Sequence, residues 1–343
     1  MKKYTMEDIA REAGVAKSTV SRYFNNGYVK EETREKIRRV VKRTGFEPSA
    51  AASNLKARKT KMVGVVAPTM TSPSTGRLLN SMDNALRKQG YACLIVTTDH
   101  HPEREVAAIE YLRSLRVDGL VLIATNLNDR HQRAQKASEL PFLVMGQRYT
   151  KGISVVYDDY QAGLTVGEYA RQMGHRDVVY IGVNESDESV GVVRRQGVMD
   201  GLAQETAVKK VEMKEIAFSY KEARQAAKEV LDVRVPDLFI CATDLLAQAC
   251  YKEIRERGLR IPEDVSVIGF GDYDFSSLLT PSLATVHFDC EGAGEVCART
   301  LISMMEGQSV PALQMIGFSF DAGGSVSDRK RIVSRAQVTD ALE

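Results

Sequence analysis

Long apolar runs are missing from this chain. No stretch approaches the ~20 apolar residues that a membrane-spanning helix needs, and Met1-Lys2-Lys3-Tyr4-Thr5 opens no secretory core. A cytoplasmic protein without a membrane partner is expected. Cysteine is sparse: Cys93, Cys241, Cys250, Cys290 and Cys297 are odd in number and form no CxxC pair. That pattern argues against a disulfide framework and a zinc site, and it suits buried thiols in a reducing compartment. His100-His101 is followed by Pro102 and reads as a solvated loop, so neither metal nor cofactor is expected. The GxSxG elbow, the Walker loop and HExxH are all absent. No enzyme is expected. Asp158, Asp159 and Asp244 could be imagined as acid–base carboxylates, but loop or effector contacts account for them better. The charged tail carries no leucine heptads, which argues against a coiled-coil tetramer.

What is present is unevenly spread. The 343 residues are 43% hydrophobic and 27% charged, which suits a soluble protein of two or three domains. The net charge of +2 hides a split: residues 1–61 hold 16 Lys and Arg against 7 Asp and Glu, leaving 31 against 38 in the rest. A basic head on an acidic body points to a polyanion bound by the head alone.

The head explains the charge. Thr5 to Arg22 reads as two short helices broken at Gly14, with Ile9, Ala10, Ala13, Val15 and Val20 spaced to face one another. Thr5 is the expected N-cap, with Asp8 in the capping-box position. Lys17, Ser18, Thr19, Ser21 and Arg22 follow the turn, all cations or small hydrogen-bonders. Such a face suits a DNA major groove better than a protein core. A third helix is predicted from Thr33 to Arg43, stopped by Gly45. The stretch Ser49–Arg58 has helix-favouring alanines and a single large apolar side chain, Leu55, among cations that include Lys56. It reads as a hinge helix ordered on docking, with Leu55 as a minor-groove wedge. A plain interdomain linker would look similar.

From Met62 the pattern alternates β and α. Strands are predicted at Met62–Ala67, Tyr91–Thr97, Gly119–Ala124, Pro141–Met145, Val178–Val183, near Glu215, Leu238–Ala242 and Val265–Phe270, with helices between them and at Gly292–Glu306. This alternation predicts parallel sheets in two α/β lobes around a cleft, where strand-end loops would hold a small ligand. The predicted boundaries are 1–47 for a helix-turn-helix domain, 48–61 for hinge and linker, 62–326 for the two-lobed effector and dimerisation domain, and 327–343 for a polar tail without regular core.

These segments resemble the lactose- and purine-repressor (LacI) family of bacterial regulators. The resemblance rests on DIAREAGVAKSTVSRYFN, TREKI and FEP in the head, and on GLRIPEDVSVIGFGD and PSLATV in the body. It covers the chain up to the tail. It implies a three-helix DNA-binding head, a hinge helix and a body like a periplasmic binding protein. It also implies a homodimer on a pseudopalindromic operator, with a small effector, a sugar or sugar phosphate, in the cleft. Lys17, Ser18 and Arg22 would then meet base edges, and Thr5, Thr19, Ser21 and Asn25 the phosphates. Leu55 and Lys56 would serve the minor groove. Ala50, Ala51 and Ser53 are small where members often carry an arginine near Ser53, which implies sparser contacts there.

The effector residues carry over one at a time. Arg194 stands three residues before Gly197, as does the arginine that grips effector oxygens, and Arg195 is its alternative. Phe218 falls where the family places a stacking aromatic. Ser74 and Thr75 lie in the loop after the first strand, and Gln147 and Arg148 follow the fourth. Two departures stand out: Gly271-Asp272 replaces a paired acidic or amide motif, so Asp272 or Tyr273 would substitute, and Thr243 replaces an asparagine before Asp244. With Phe288, these features resemble the sucrose-operon branch. The function implied is an allosterically controlled repressor of a carbohydrate operon. The alternatives are a global catabolite regulator using a phosphoprotein corepressor, and a sugar-binding protein without DNA; the basic head argues against the second.

Overall fold

A computed structural model describes residues 4–24, 27–46, 59–203 and 208–330. The chain divides into two compact units, Met1–Lys61 and Met62–Glu343. In the first, α1 (Met6–Ala13), α2 (Lys17–Phe24) and α3 (Glu31–Thr44) enclose a small core of Ile9, Ala10, Ala13, Val20, Val29, Ile37 and Val40. The Thr5 side chain accepts from the Asp8 amide while the Asp8 carboxylate accepts from the Thr5 amide, the reciprocal cap expected from sequence. Gly14 ends α1 at φ 64°, a left-handed conformation that a side chain would resist, and its N–H returns to the Ala10 and Arg11 carbonyls. Helix α3 starts two residues before the predicted Thr33, because Glu31 and Glu32 suit the positive end of a helix dipole. The hinge positions, with Leu55 and Lys56, lie outside the described residues, as does Asn25.

The second unit holds two six-stranded sheets. With β1 (Met62–Ala67), β2 (Ala92–Thr97), β3 (Gly119–Ile123), β4 (Phe142–Met145), β5 (Ile153–Tyr157) and β11 (Leu313–Ile316), the first runs β11-β5-β4-β3-β1-β2, all parallel. The second comprises β6 (Asp177–Val183), β7 (Lys210–Ile216), β8 (Leu238–Cys241), β9 (Ser266–Phe270), β10 (Ala284–Phe288) and β12 (Phe318–Asp321), in the order β12-β10-β9-β8-β6-β7. The chain passes between lobes after β5, after β10 and between β11 and β12, so each lobe is finished by segments remote in sequence.

Strands covered on both faces by helices must be apolar throughout, which is why they read as unbroken hydrophobic runs. In the first lobe, α4 (Pro73–Lys88) and α11 (Cys290–Met305) bury Leu78, Met82, Leu86 and Leu301 on one face of the sheet. On the other face, α5 (Pro102–Ser114) and α6 (Asp129–Ser138) bury Ile109, Leu112 and Ala134. The second lobe has one continuous core centred on Tyr180, Phe239, Ile240 and Phe270.

The structure departs from the sequence reading in three places. Strands β5, β10, β11 and β12 were not predicted, being only four or five residues long and, at the sheet edges, exposed at every second residue. Strand β12 runs antiparallel to β10, so the sheets are parallel-dominated rather than wholly parallel. The C-terminal segment is not structureless up to its last described residue. Ser325 is fully buried, donates to the Val267 carbonyl at 2.5 Å and accepts from the Ala284 amide at 2.8 Å. Arg329 donates to the Asp264 carbonyl at 2.7 Å. The predicted boundary at 326/327 therefore falls inside a docked strap. Among the described residues, no helix is long and apolar enough to cross a membrane.

Candidate functional site

In the head, Val20 is the buried anchor of α2, and Tyr23 and Phe24 pack beside it against the core. Lys17, Ser18 and Arg22 are exposed, with Thr19 and Ser21 half-buried. Lys17 Nζ lies 3.0 Å from Glu7 Oε2, an exposed ion pair of the kind worth ~1 kcal/mol or less and readily exchanged for a phosphate. Thr5 is different: its hydroxyl donates to Asp8 Oδ2 at 2.7 Å and accepts from the Asp8 amide at 3.2 Å, so it is committed to the cap.

In the body, a cleft of about 420 Å³ lies between the lobes, within the usual range of small-ligand sites. Arg194 is its centre. It ends a seven-residue π-helix, Glu188–Arg194, an uncommon winding that often marks functional sites. It is 6% exposed. Nε and Nη2 donate to Asp159 Oδ1 at 2.9 and 2.6 Å, and Nη1 donates to the Ala242 carbonyl at 2.7 Å. The guanidinium carbon sits 4.9 Å from the ring centroids of both Phe270 and Phe288. Burial alone would lower the Arg194 pKa, but the charge and hydrogen bonds of Asp159 outweigh it and raise it. Burial pushes Asp159 up, against the pull of Arg194.

Glycines make this placement possible. The π-helix continues into α8 (Arg195–Ala203), which packs on α7 (Asp159–Gln172) at near backbone contact. A Cβ on Gly163 would come within 2.2 Å of the Arg194 carbonyl oxygen, and one on Gly197 within 2.1 Å of the Tyr160 carbonyl oxygen. Only glycine lets α7 carry Asp159 this close beneath Arg194.

The lobes also touch across the cleft. The Glu188 amide donates to the Thr125 carbonyl at 3.1 Å, and Ser189 Oγ donates to the Gly146 carbonyl. Arg77 Nη1 donates to the Asp272 carbonyl at 3.1 Å, and the His100 and Phe218 rings stack with centroids 5.4 Å apart.

Of the sequence candidates, Ser74, Thr75, Arg194, Phe218, Thr243 and Phe288 line this cleft, as does the alternative Tyr273. Ser74 and Thr75 occupy the first turn of α4 rather than a loop, since Pro73 presets helical φ at its start. Four candidates do not line it. Gln147 is buried, donates to the Ala124 and Thr125 carbonyls and accepts from the Leu127 amide at 3.1 Å, so it braces the loop after β3. Arg148 points to solvent. Asp244 is fully buried and accepts from the Tyr273 amide, Ser276 Oγ and Thr285 Oγ1, which saturates it; burial raises its pKa against those bonds. Asp272 turns toward His287 Nδ1 at 3.0 Å. The alternative Arg195 bridges Glu185 and Glu215 at the surface.

Similarity to known proteins agrees with this arrangement. Residues 5–49 match the family described as bacterial regulatory proteins, lacI family, and residues 167–325 match a periplasmic binding protein-like domain. The sucrose operon repressor of Staphylococcus xylosus is 32% identical over 304 residues, spanning 88% of this chain and 94% of that one. The chain belongs to the lacI family of bacterial regulatory proteins. As a lacI-family regulator it is a DNA-binding transcriptional regulator with an effector-binding body. The HTH-type transcriptional repressor PurR of Erwinia tasmaniensis is 28% identical over 305 residues, covering 87% of this chain and 89% of that one. The lac repressor dimer bound to operator and the anti-inducer ONPF shares the fold at a TM-score of 0.86 and 22% identity, over 95% of this chain and all of that one.

Sequence reasoning passed over several cleft residues of this lacI-family regulator. Asp187 caps the π-helix by accepting from the Val190 amide at 2.9 Å, and burial pushes its carboxyl up to about 6. Ser189, Tyr157, Phe270 and Asp99 also line the site, and so does His100, read earlier as solvated loop. Burial lowers the His100 pKa, favouring the neutral ring that stacks on Phe218.

Proposed function

We propose that this regulator represses a carbohydrate-utilisation operon from the cytoplasm, and that a sugar or sugar phosphate in the cleft alters its operator affinity. It acts as a homodimer on a pseudopalindrome, with residues 48–61 as hinge and residues from 62 onward as effector and dimerisation domain. Lys17, Ser18 and Arg22 read base edges, Thr19, Ser21 and Asn25 hold phosphates, and Leu55 and Lys56 act in the minor groove. Its role is regulatory, a reading supported by relatives named as repressors and by the engagement of Asp159 with Arg194 and of Asp244 with three donors.

The carrying observation is the buried Arg194 fork between two aromatic faces. Its remaining N–H groups suit vicinal hydroxyls, while Phe270 and Phe288 offer apolar surface to a sugar ring. The relative named for a sucrose operon supports the same class. Thermal-shift measurements against mono- and disaccharides, sugar phosphates and purines test it, because a ligand bound only by the folded state raises the transition. A saccharide hit is expected. A purine hit with no saccharide response would refute the reading.

A further inference from the structure

We propose that the cleft selects an uncharged sugar and rejects its phosphate ester, with Asp187 as the residue that excludes the anion. This rests on the carbohydrate reading above and decides between its two ligand classes.

The cleft is poor in available positive charge. Its lining carries one arginine, Arg194, and three carboxylates, Asp99, Asp159 and Asp187. Arg194 cannot serve as a free cation, because Asp159 Oδ1 already takes two of its N–H groups and the Ala242 carbonyl a third. Its two remaining N–H groups can donate to neutral oxygens, but its charge is balanced at contact distance. Among the described residues, Asp187 has no basic side chain as a hydrogen-bond partner: its carboxylate accepts from the backbone amides of Val190 and Ser189, and both Asp159 and Arg194 lie near enough to act on it. Asp99 stands at the rim, paired with Arg104 at 2.7 Å, so that arginine too is engaged. His100 adds no dependable charge, since burial favours its neutral form.

A phosphate monoester brings roughly −1.5 to −2 charges at neutral pH and wants several charge-assisted donors. It would enter beside Asp187, for which no arginine or lysine among the described residues supplies an ion pair, and unbalanced like charges in a water-poor cleft are strongly unfavourable. A neutral sugar meets the opposite situation. The walls offer hydroxyls from Ser74, Thr75, Thr125, Ser189, Thr243 and Tyr273, which donate or accept as the ligand requires. Asp187 then becomes an acceptor for sugar hydroxyls rather than a liability.

The test uses the full-length protein and titration calorimetry with glucose, fructose, sucrose, maltose and trehalose, each beside its 6-phosphate ester where one exists. At least one neutral sugar is expected to bind, with its ester at least tenfold weaker. In Asp187→Asn, the gap between sugar and ester should narrow several-fold, with a circular-dichroism melt confirming that the variant is folded. An ester that binds as tightly as its parent sugar overturns this inference and leaves the carbohydrate reading intact. If neither sugars nor esters bind while a nucleobase does, the carbohydrate reading itself fails and this inference with it. An unchanged gap in Asp187→Asn overturns the role given to that aspartate.

Discussion

Replacing Arg194 by alanine should unfold the body at markedly lower urea, and the size follows from what the side chain holds. Asp159 is buried, and among the described residues Arg194 is the only basic side chain hydrogen-bonded to it. Removing one member of a buried ion pair strands the other, at a cost of about 3–5 kcal/mol. The Ala242 carbonyl loses its donor, worth about 1 kcal/mol, and two aromatic faces lose their cation, worth about 0.5–2 kcal/mol each. These losses overlap, and Asp159 can limit them by taking a proton, so about 3–5 kcal/mol is the expected total. Urea unfolding followed by far-ultraviolet circular dichroism measures it. The double variant Asp159→Leu/Arg194→Met separates stability from ligand binding. Apolar residues of similar volume can replace a buried pair at little cost, so stability should largely return. The sugar response should not, because the donor fork is gone. A loss below ~1 kcal/mol in Arg194→Ala, or a sugar response retained in the double variant, would refute the reasoning.

Three further outcomes follow from the same geometry. Gly163→Ala places a methyl 2.2 Å from the Arg194 carbonyl oxygen, so α7 and the π-helix must separate; a loss of at least about 2 kcal/mol is expected in urea unfolding, together with weaker sugar binding. Asp187 is raised from 3.8 to about 6 in the folded state, so between those values the folded protein holds a proton that the unfolded chain releases, and stability falls as pH rises through that window. Asp187→Asn keeps the cap without the charge, and should be more stable than the parent by about 1–3 kcal/mol at pH 7.5, the difference fading towards pH 4. Arg22→Ala should weaken binding and relax base preference at one position of each half-site, whereas Lys42→Ala on α3 should leave that preference alone; competition binding with substituted operators distinguishes them.

The head was legible because everything that shapes it is local. Thr5, Asp8 and Gly14 act within a few residues, and the apolar spacing of Ile9, Ala13 and Val20 needs no distant partner to be read. The body was legible as alternating elements, but not at its edges: β11 and β12 pair with strands 30 or more residues away and, at four residues each with alternate positions exposed, are too short to announce themselves. The cleft was half legible. Arg194, Phe218 and Phe288 are large groups at strand or helix ends, and they do face it. Gln147 and Asp244 looked equally suitable as polar residues beside strands, yet the backbone engages Gln147, and one amide with two hydroxyls engages Asp244. Asp187 and His100 gave no signal because each lies in a turn between elements, and only the approach of the other lobe turns them into walls.

The central claim is that a sugar held by Arg194 changes the grip of the head on DNA. Fluorescence anisotropy of the full-length protein on the promoter region it controls, with and without the sugar found by calorimetry, tests this directly. Coupling of about 1–3 kcal/mol predicts a change in Kd of roughly 5- to 150-fold, absent in Arg194→Met/Asp159→Leu. A sugar that binds the cleft tightly and leaves the DNA affinity of the parent protein unchanged would contradict the account.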